Sequence, residues 1–372
     1  MTRILKIKAS ELRSKKITVS KDVKIKCNSI KIGKNVKIYN GVQLFGDKIL
    51  INDDAIIGSN SKITSKIIEI GNKSKISEDC NIFVLEKFSL GDRSILCTCE
   101  IKGRYVKIGD DFFSSVTKGE LLVIGGGNSF YPESNLFVGD RCTIHDVYIN
   151  IAMPVKIGDD VGISHGTKFF THYFWNSIFE GHPQKFSGIT IGDGCIIGAE
   201  SFFLPGATLG KNCIVGAGSV ISKRFPSSCM IVGNPPRIVR KNYRKKISSK
   251  KRIELMKRTL SWYVNILKTK GFKVKKLDRG GMKILVRSTN GKLTYIIHTH
   301  NPKEIQKFTR PIVLTFKKLA GTKNYTEINL SNQTINGPEN EFTDDLRDFL
   351  RKVGIRIFSD RKFKSFPPKI DF

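Results

Sequence analysis

Residues 189–240 read ITIGDGCIIGAESFFLPGATLGKNCIVGAGSVISKRFPSSCMIVGNPPRIVR, and one phrase occurs in this stretch twice. Ile191–Gly198 (IGDGCIIG) returns as Leu209–Gly216 (LGKNCIVG), 18 residues later. Between Ile191 and Ile221 an aliphatic or aromatic residue recurs every six positions. Six fits neither the alternation of a strand nor the stripe of a helix. A repeat of this kind predicts a triangular coil, in which each side is a short strand plus a turn and the recurring residue points inward.

The same phrase can be followed towards the N-terminus by its glycines. From Gly33 to Gly109 successive copies lie 18 to 20 residues apart, as expected for one copy per coil. The steps from Gly109 to Gly139 and from Gly158 to Gly192 are 30 and 34 residues, so about twelve and sixteen residues leave the coil there. The second excursion is expected between about residues 173 and 187. Glycine, aspartate and asparagine suit the corners because they tolerate a positive φ. We expect nine or ten coils.

Three motifs near the end of the repeat resemble the terminal coils of the hexapeptide-repeat acyltransferases. They are Gly198–Gly210 (GAESFFLPGATLG), Gly216–Val220 (GAGSV) and Gly233–Pro236 (GNPP). The likeness is greatest to the capsule and polysialic-acid-type and the maltose and galactoside O-acetyltransferases, and it covers about residues 24–240. The resemblance implies a left-handed parallel β-helix.

The predicted fold class is therefore mainly β, a left-handed parallel β-helix followed by a small α+β domain. We place a lead-in at residues 1–24, the β-helix at 25–240, a basic linker at 241–251 and the α+β domain, which resembles no family we can name, at 252–372. In that last domain, apolar periodicity and turn residues predict two helices and five strands. They are a helix over Ile253–Leu267, strands at Met282–Arg287 and Lys292–His298 around an Asn290-Gly291 turn, strands at Ile312–Phe316, Glu327–Leu330 and Ile355–Phe358, and a helix over Thr343–Lys352.

The charge of the chain is strongly positive. Its 372 residues include 64 Lys and Arg against 33 Asp and Glu, a formal net charge of +31. Such a balance favours polyanionic partners, whether acidic polysaccharide, anionic membrane or nucleic acid, although a lysine-rich surface alone would give the same total. Nucleic acid is the least favoured of these, because the basic residues interleave no recognisable nucleic-acid fold.

The cellular compartment is predicted from two features: the lack of a membrane-spanning or signal-peptide pattern, and the placement of the cysteines. No stretch approaches the roughly 18 apolar residues of a spanning helix, and the N-terminus has no signal-peptide pattern. The eight cysteines fall in strand-like runs and fit as small apolar residues, without a disulfide framework. We expect a cytoplasmic protein, with the basic linker able to hold it at the inner face of the membrane.

The resemblance also implies a general base. In the family a histidine just before the protruding loop has this role, and His172 in the segment Gly166–Trp175 (GTKFFTHYFW) occupies that position. A sugar hydroxyl is a poor nucleophile at neutral pH, and an imidazole can take its proton as it attacks a thioester. The transfer would be direct, without a covalent acyl-enzyme.

Other histidines compete for this role. His165 and His182 flank the same region, and a chain with no catalytic histidine is a further alternative. His145, His165 and His172 could form a zinc site of the γ-carbonic anhydrase kind if they converged. The ending of the chain favours the acyltransferase, so no metal is expected. His298 and His300 share one strand face, where such a pair is usually solvated or structural.

The donor implied by the resemblance is acetyl-coenzyme A, lying in a groove between adjacent prisms. A backbone N–H at or after Gly198 is the candidate oxyanion donor. Small residues would contact the pantetheine and basic residues the phosphates. The matching positions are Gly198, Ala199, Gly216 and Ala217 for the pantetheine, and Lys223, Arg224, Arg237 and Lys241 for the phosphates. Gly and Ala are equally what tight corners require.

Acceptor contacts are expected on the second excursion. Trp175, three residues past His172, could stack on a sugar, and Tyr173, His182 and His165 are the other acceptor-binding candidates. The alternative is that the aromatic residues from Phe169 to Trp175 form a hydrophobic plug at the base of the loop.

Together these features predict an acetyl-coenzyme A-dependent O-acetyltransferase that modifies a sugar hydroxyl of an acidic bacterial capsular or other surface polysaccharide. The resemblance implies a homotrimer with active sites between subunits, and a polysaccharide polymerase is a candidate partner. Three alternatives stay open: a small acceptor such as a nucleotide-linked amino sugar or an antibiotic, an acyl donor carried by acyl carrier protein, and a non-catalytic scaffold or polysaccharide-binding protein.

Overall fold

In a computed structural model, the chain forms two compact units, residues 1–245 and 246–372. The structure describes residues 3–4, 14–117, 119–126, 131–244, 246–278, 282–287, 293–299, 301–319, 324–361 and 366. The first unit is a parallel β-solenoid and the second is a small α+β domain, so the predicted β-helix followed by an α+β domain is confirmed.

One face of the solenoid is a stack of eleven described strands, each parallel to and in register with the next. Ten of these strands turn an apolar side chain towards the interior column, as the six-residue period predicts, and in Phe113–Ser115 the buried residue is Ser114. The stack already begins at Thr18–Val19, and an antiparallel strand, Arg237–Lys241, pairs with its last member. The eleven are Thr18–Val19, Lys37–Ile38, Ile56–Ile57, Lys75–Ile76, Ile95–Leu96, Phe113–Ser115, Thr143–His145, Gly162–Ile163, Ile196–Ile197, Ile214–Val215 and Cys229–Val232.

The other two faces share one continuous sheet, because two long strands, Asn81–Leu90 and Cys99–Ile108, run through both. The strand Arg3–Ile4 adds to one end, antiparallel to Lys24–Cys27. The second face contains Lys24–Cys27, Gln43–Phe45, Lys62–Thr64, Leu122–Gly125, Tyr148–Asn150, Lys168–Phe169, Phe202–Phe203 and Val220–Ile221. The third contains Ser29–Ile32, Lys48–Ile51, Ile67–Ile70, Asn135–Val138, Val155–Ile157, Ile189–Ile191, Thr208–Leu209 and Arg224–Phe225.

Three edges separate these faces. Edge A holds the Gly-Asp corners that follow the third face, edge B follows the eleven-stranded face, and edge C follows the second face. On edge A each aspartate accepts a backbone N–H from the preceding coil: Oδ1 of Asp140 from Asp110 at 2.8 Å, and Oδ1 of Asp159 from Asp140 at 2.9 Å. A Cβ on Gly109 would lie 2.3 Å from Oδ1 of Asp140. Glycine at each corner therefore leaves room for the carboxylate of the following coil, which accepts the backbone N–H beside that glycine.

All eight cysteines are free thiols buried in the solenoid, consistent with their use as small apolar residues. We expect Ellman's reagent to titrate fewer than one thiol per folded chain within minutes and all eight after unfolding in guanidinium, because a buried thiol meets the reagent only when the coil opens. Rapid reaction of several thiols in the folded protein would contradict the packing described here.

The sixteen-residue excursion leaves edge C between Thr171 and Gly188, as its predicted position requires. Its two arms, His172–Tyr173 and Lys185–Phe186, pair as antiparallel strands, and a short 3-10 helix, Ile178–Glu180, forms its tip. We call residues 172–187 the long excursion.

The second unit packs helices α1 (Ser249–Thr269), α2 (Pro302–Ile305) and α3 (Glu341–Lys352) with a six-stranded mixed sheet. The neighbouring strands follow chain order, and the apolar faces of α1 and α3 share one core with the sheet. Buried Asp345 ties the helices together, since it accepts hydrogen bonds from Tyr263 Oη at 2.8 Å and from Lys270. The strands are Lys273–Lys276, Lys283–Arg287, Leu293–His298, Ile312–Thr315, Thr326–Asn329 and Thr334–Asn336.

Some predictions for this unit were wrong. Lys273–Lys276 and Thr334–Asn336 are strands that the apolar pattern did not mark, because lysine, asparagine and threonine dominate them. The predicted strand Ile355–Phe358 is a single bridge between Phe358 and Thr334. The Asn290-Gly291 turn and His300 lie outside the described residues. Helix α1 begins at Ser249, where Ser248 Oγ accepts the N–H of Lys251 at 3.2 Å.

Among the helices of the described residues, none has the length and apolar composition needed to cross a bilayer.

Candidate active site

His172 lies at the start of the long excursion in an aromatic box on edge C. Its ring stacks on Phe186 (centroids 5.2 Å apart), on Phe174 (5.5 Å) and on Tyr131 (5.9 Å). Tyr131 comes from the other lengthened interval, between Gly109 and Gly139. The two places where the chain leaves its coil therefore meet around this histidine.

Asn150, one coil earlier on the same edge, orients the imidazole. Its Oδ1 lies 3.2 Å from Nδ1 of His172 and also accepts the backbone N–H of Ala152 at 3.1 Å. Thr171 Oγ1 accepts the N–H of Met153 at 3.1 Å and donates its own proton to the same Oδ1 at 2.6 Å. Because an obligatory backbone donor points at it, this Asn150 atom is an acceptor and cannot be the amide nitrogen.

The tautomer of His172 follows from that acceptor. An oxygen at 3.2 Å requires the proton on Nδ1, which leaves the lone pair of the neutral ring on Nε2. Burial among the aromatic rings lowers the pKa of His172, because it disfavours the charged form. The ring is thus neutral near pH 7, and Nε2 can accept a proton.

The other histidine candidates occupy different surroundings. His165 lies on edge B, at the opposite end of strand Lys168–Phe169 from His172, and its Nδ1 contacts Asp146 Oδ2 at 2.9 Å. That carboxylate raises the pKa of His165. His182 is exposed beyond the tip helix of the long excursion, 3.9 Å from Glu180. The structure does not place either ring in the aromatic box.

A three-histidine metal site finds no support in the geometry. His145 contacts the Ser115 hydroxyl and packs edge-on against Phe113, while His165 and His172 have the separate partners given above. Within the described ranges, no three His, Cys, Asp or Glu side chains are grouped as metal ligands. His298, in the second unit, donates from Nδ1 to the Leu314 carbonyl oxygen at 2.8 Å.

The aromatic residues of the long excursion divide into two sets. Phe174 and Phe186 pack on His172, as the plug interpretation predicts for part of the segment. Trp175 and Phe179 are 93% and 95% exposed, and Tyr173 is 47% exposed. These three rings are exposed on the long excursion. The sequence analysis did not single out Phe179, which lies in the tip helix.

The donor-binding candidates lie in three places. Gly198 and Ala199 are on edge B, one coil before Gly216 and Ala217 on the same edge. A Cβ on Gly198 would lie 2.4 Å from the Ala217 nitrogen, so coil stacking by itself requires glycine there. The backbone nitrogen of Ala217 therefore limits the size of the side chain that position 198 can carry.

The basic donor candidates do not lie on edge B with those small residues. Lys223 and Arg224 follow edge C, with Lys223 Nζ 5.8 Å from the Phe225 ring, and Arg237 and Lys241 are the ends of the antiparallel strand at the last coil. None of the four makes an ion pair within the part of the chain that the structure describes.

Sequence reasoning missed Asn150, Tyr131 and Phe186. Asn150 precedes His172 by 22 residues, close to one coil, so inspecting the preceding coil could have found it. Tyr131 and Phe186 come from excursions, whose side chains follow no repeat. No periodic signal marks them.

Residues 188–223 match the family described as bacterial transferase hexapeptide (six repeats). Three solved structures are similar to parts of the chain. They are a maltose O-acetyltransferase from Clostridium difficile 630 (26% identity, covering 38% of this chain and 67% of that one, TM-score 0.24), the polySia specific acetyltransferase NeuO (20%, 67% and 97%, 0.25) and a UDP-N-acetylglucosamine acyltransferase (16%, 59% and 70%, 0.29).

With TM-scores this low, the repeat match and the observed coils carry the assignment. The matched residues form the coils from Ile189 to Lys223, and the same register continues through the whole described solenoid. Residues 188–223 are therefore identified as bacterial transferase hexapeptide repeats, and the coils before and after them continue the same parallel stack.

Proposed function

We propose that this protein is an acyltransferase that moves an acetyl group from acetyl-coenzyme A to a sugar hydroxyl, with His172 as general base. The observation that carries the proposal is the hydrogen bond from Nδ1 of His172 to Asn150, in a box that keeps the ring neutral. The hexapeptide match at residues 188–223 supports the reaction class, and this contact supplies a base with a defined proton-accepting atom.

In the proposed reaction, Nε2 of His172 takes the proton of the acceptor hydroxyl as its oxygen attacks the thioester carbonyl. The tetrahedral intermediate collapses by breaking the C–S bond, and the imidazolium returns the proton to the departing thiolate. The Asn150 oxygen stabilises the imidazolium by accepting from Nδ1. The Gly198 N–H already donates to the Val215 carbonyl oxygen at 2.8 Å, so the N–H of the following residue, Ala199, is our candidate for the oxyanion, with Gly216 and Ala217 along the pantetheine.

For the acceptor we propose a surface polysaccharide carrying negative charge. Two observations support it: the excess of Lys and Arg over acidic residues, and the exposed rings of Trp175 and Phe179 on the long excursion. Aromatic faces stack on sugar rings, and cations attract an acidic chain. Tyr173, His182 and His165 are further acceptor contacts in this proposal, and the basic residues Lys223, Arg224, Arg237 and Lys241 hold the donor phosphates.

We further propose a homotrimer, in which a neighbouring prism completes the donor groove, working in the cytoplasm or against the inner membrane face. The trimer is what the resemblance of the terminal-coil motifs Gly198–Gly210 and Gly233–Pro236 to the hexapeptide acyltransferases implies. Sedimentation equilibrium at micromolar concentration tests the trimer directly, and a monomer would contradict it.

The test of function is mass spectrometry of acceptors incubated with the protein and isotope-labelled acetyl-coenzyme A. Acidic surface polysaccharides, free sugars, nucleotide-linked amino sugars and acetyl-acyl carrier protein as an alternative donor form the parallel reactions. We expect label on a polysaccharide hydroxyl. Label on a small amino sugar, or transfer from the carrier protein alone, would replace the proposal, and no transfer to any acceptor would favour a scaffold.

The pH dependence of kcat/KM distinguishes His172 from His165 as the base. The base acts when neutral, so activity falls as pH drops through its pKa. Because burial lowers the pKa of His172, we expect the acid limb below the ordinary value of about 6.5. Asp146 raises the pKa of His165, so a limb above 6.5 would point to that residue instead. An acceptor without ionisable groups keeps the profile free of substrate titration.

A further inference from the structure

One column of outward side chains runs along the second face of the solenoid, beside edge C. Its members pair in register in successive coils, and each adjoins a buried residue of its own strand, so strand alternation turns it outward. They are Lys26, Phe45, Thr64, Phe83 and Lys102. Two phenyl rings therefore stand on either side of a short threonine side chain, with a lysine beyond each ring.

The spacing of the coils makes a slot between these two rings. Neighbouring strands lie about 4.8 Å apart, so the backbones at Phe45 and Phe83, two strands apart, are separated by about 10 Å. A guest ring midway between them would lie about 5 Å from each, within the range at which stacked rings pack. The groove at this point has a volume of about 310 Å³, and Phe83 is 44% exposed. We call this groove the aromatic slot.

The lining of the aromatic slot also offers hydrogen-bonding groups. Ser65 is 3% exposed, and its Oγ has no hydrogen-bond partner among the residues that the structure describes. A buried hydroxyl in that state costs free energy that a ligand hydroxyl would recover. At the rim, Lys26 supplies a cationic donor, and Asp47, whose Oδ1 accepts from Asn28 Nδ2 at 3.1 Å, supplies a carboxylate. Aromatic faces with a few placed donors and acceptors fit the C–H and O–H groups of a sugar ring.

The column also leads towards the candidate active site. On the second face, the strand Leu122–Gly125 separates Cys99–Ile108 from the strand that ends in Asn150, and Asn150 contacts His172. Phe83 lies one strand before Cys99–Ile108. Three strand spacings, about 14 Å, therefore separate the coil of Phe83 from that of Asn150. A polymer that lies along this face can place one sugar in the aromatic slot and another at His172.

We propose that the aromatic slot binds a sugar ring of the acidic acceptor polysaccharide, several units along the chain from the sugar at His172. This inference rests on the proposed function and gives it a second, distant subsite. Anchoring at the slot raises the effective concentration of the rest of the chain at His172, so long polymers are favoured over short fragments. A second copy of this chain, with its net charge of +31, would bring further cations to Lys26 and Lys102, whereas an acidic glycan complements them.

The experiment is isothermal titration calorimetry of the full chain, without coenzyme A, against polysialic acid, hyaluronan and dextran, each as a long polymer and as a short oligomer. We expect a long acidic polymer to bind, and its short oligomer and dextran to bind at least about ten-fold more weakly. Phe45→Ala and Phe83→Ala should each weaken binding of that polymer about five-fold, because a stacking contact is lost. Thr64→Phe should weaken it about ten-fold, since the new ring fills the slot and removes no cation. Phe83→Tyr keeps the ring and should bind like the wild type.

Tyr39→Ala is the matched control, because it removes a ring of similar exposure, 42%, from edge B, and it should bind like the wild type. Circular dichroism establishes the fold of each variant, and sedimentation equilibrium its oligomeric state. Absent polymer binding, or binding unchanged by both Thr64→Phe and Phe83→Ala, overturns the inference. So does a changed oligomeric state in Phe83→Ala, which would assign the slot to a contact between copies.

The subsite and the proposed function fail in different ways. Polymer binding that depends on the slot, without acetyl transfer to any acceptor, would leave the glycan subsite standing and contradict the proposed function. Acetyl transfer to a free sugar, with polymer binding insensitive to the slot variants, would do the reverse.

Discussion

His172→Ala should lower kcat for acetyl transfer by about 10²- to 10⁴-fold, the range in which a positioned general base contributes. The physical reason is that the hydroxyl oxygen must lose its proton as it attacks, and Nε2 of His172 is the acceptor that the Asn150 contact leaves available. The KM for acetyl-coenzyme A should change little, because the donor candidates lie elsewhere on the solenoid. Steady-state kinetics with labelled donor and saturating acceptor measures both constants.

The matched controls are His165→Asn and His182→Asn, which remove imidazoles outside the aromatic box. Both should retain kcat within a few-fold of the wild type, although KM for the acceptor can rise if these side chains contact it. Equal losses in all three variants would argue against a unique base. Full activity of His172→Ala would show that the chemistry is carried by another group.

Asn150→Leu should lower kcat by about 10²-fold, the scale expected when a reacting group loses its orientation. Leucine has a similar size and accepts no hydrogen bond, so Nδ1 of His172, Thr171 Oγ1 and the Ala152 N–H all lose a partner. The imidazole can then turn or take the other tautomer, in which Nε2 carries the proton. The loss should appear in kcat without a matching change in donor KM.

Asn150→Asp separates orientation from simple damage to the fold. The carboxylate keeps an acceptor beside Nδ1 and adds a negative charge at about 3 Å, which favours the imidazolium and raises the pKa of His172. We expect low activity at pH 6 that recovers towards pH 8, with the acid limb of kcat/KM displaced upward from that of the wild type. A merely structural role for Asn150 would leave the limb where it is.

The solenoid could be read from the sequence because its determinants are local. The corner at Gly109 needs glycine because Asp140 approaches it closely, with the positive φ falling at Asp111, and an inward residue such as Ile197 needs to be apolar. The long excursion could be located because a departure from an 18-residue period is a matter of counting. Both kinds of information can be taken from the sequence without knowing any three-dimensional contact.

The surroundings of the base could not be read in the same way. Asn150 meets His172 only after the coils stack in register, and Tyr131 meets it only because two irregular segments leave the same edge. These contacts depend on backbone paths that follow no repeat. In the second unit, the strand Lys273–Lys276 forms through pairing with Lys283–Arg287, and its lysine-rich sequence carries no strand signal of its own.

The stacking of the coil that holds His172 on the coil before it also sets a distance within the proposed active site. Register between Tyr148 and Lys168, and between Ile149 and Phe169, fixes the separation of the two coils at the strand spacing of about 4.8 Å. That same spacing sets the reach from Asn150 to His172. Coils contact mainly their neighbours, so whole coils upstream of the strand Phe113–Ser115 can be gained or lost without altering this reach. The number of coils can therefore vary while the distance between Asn150 and His172 stays the same.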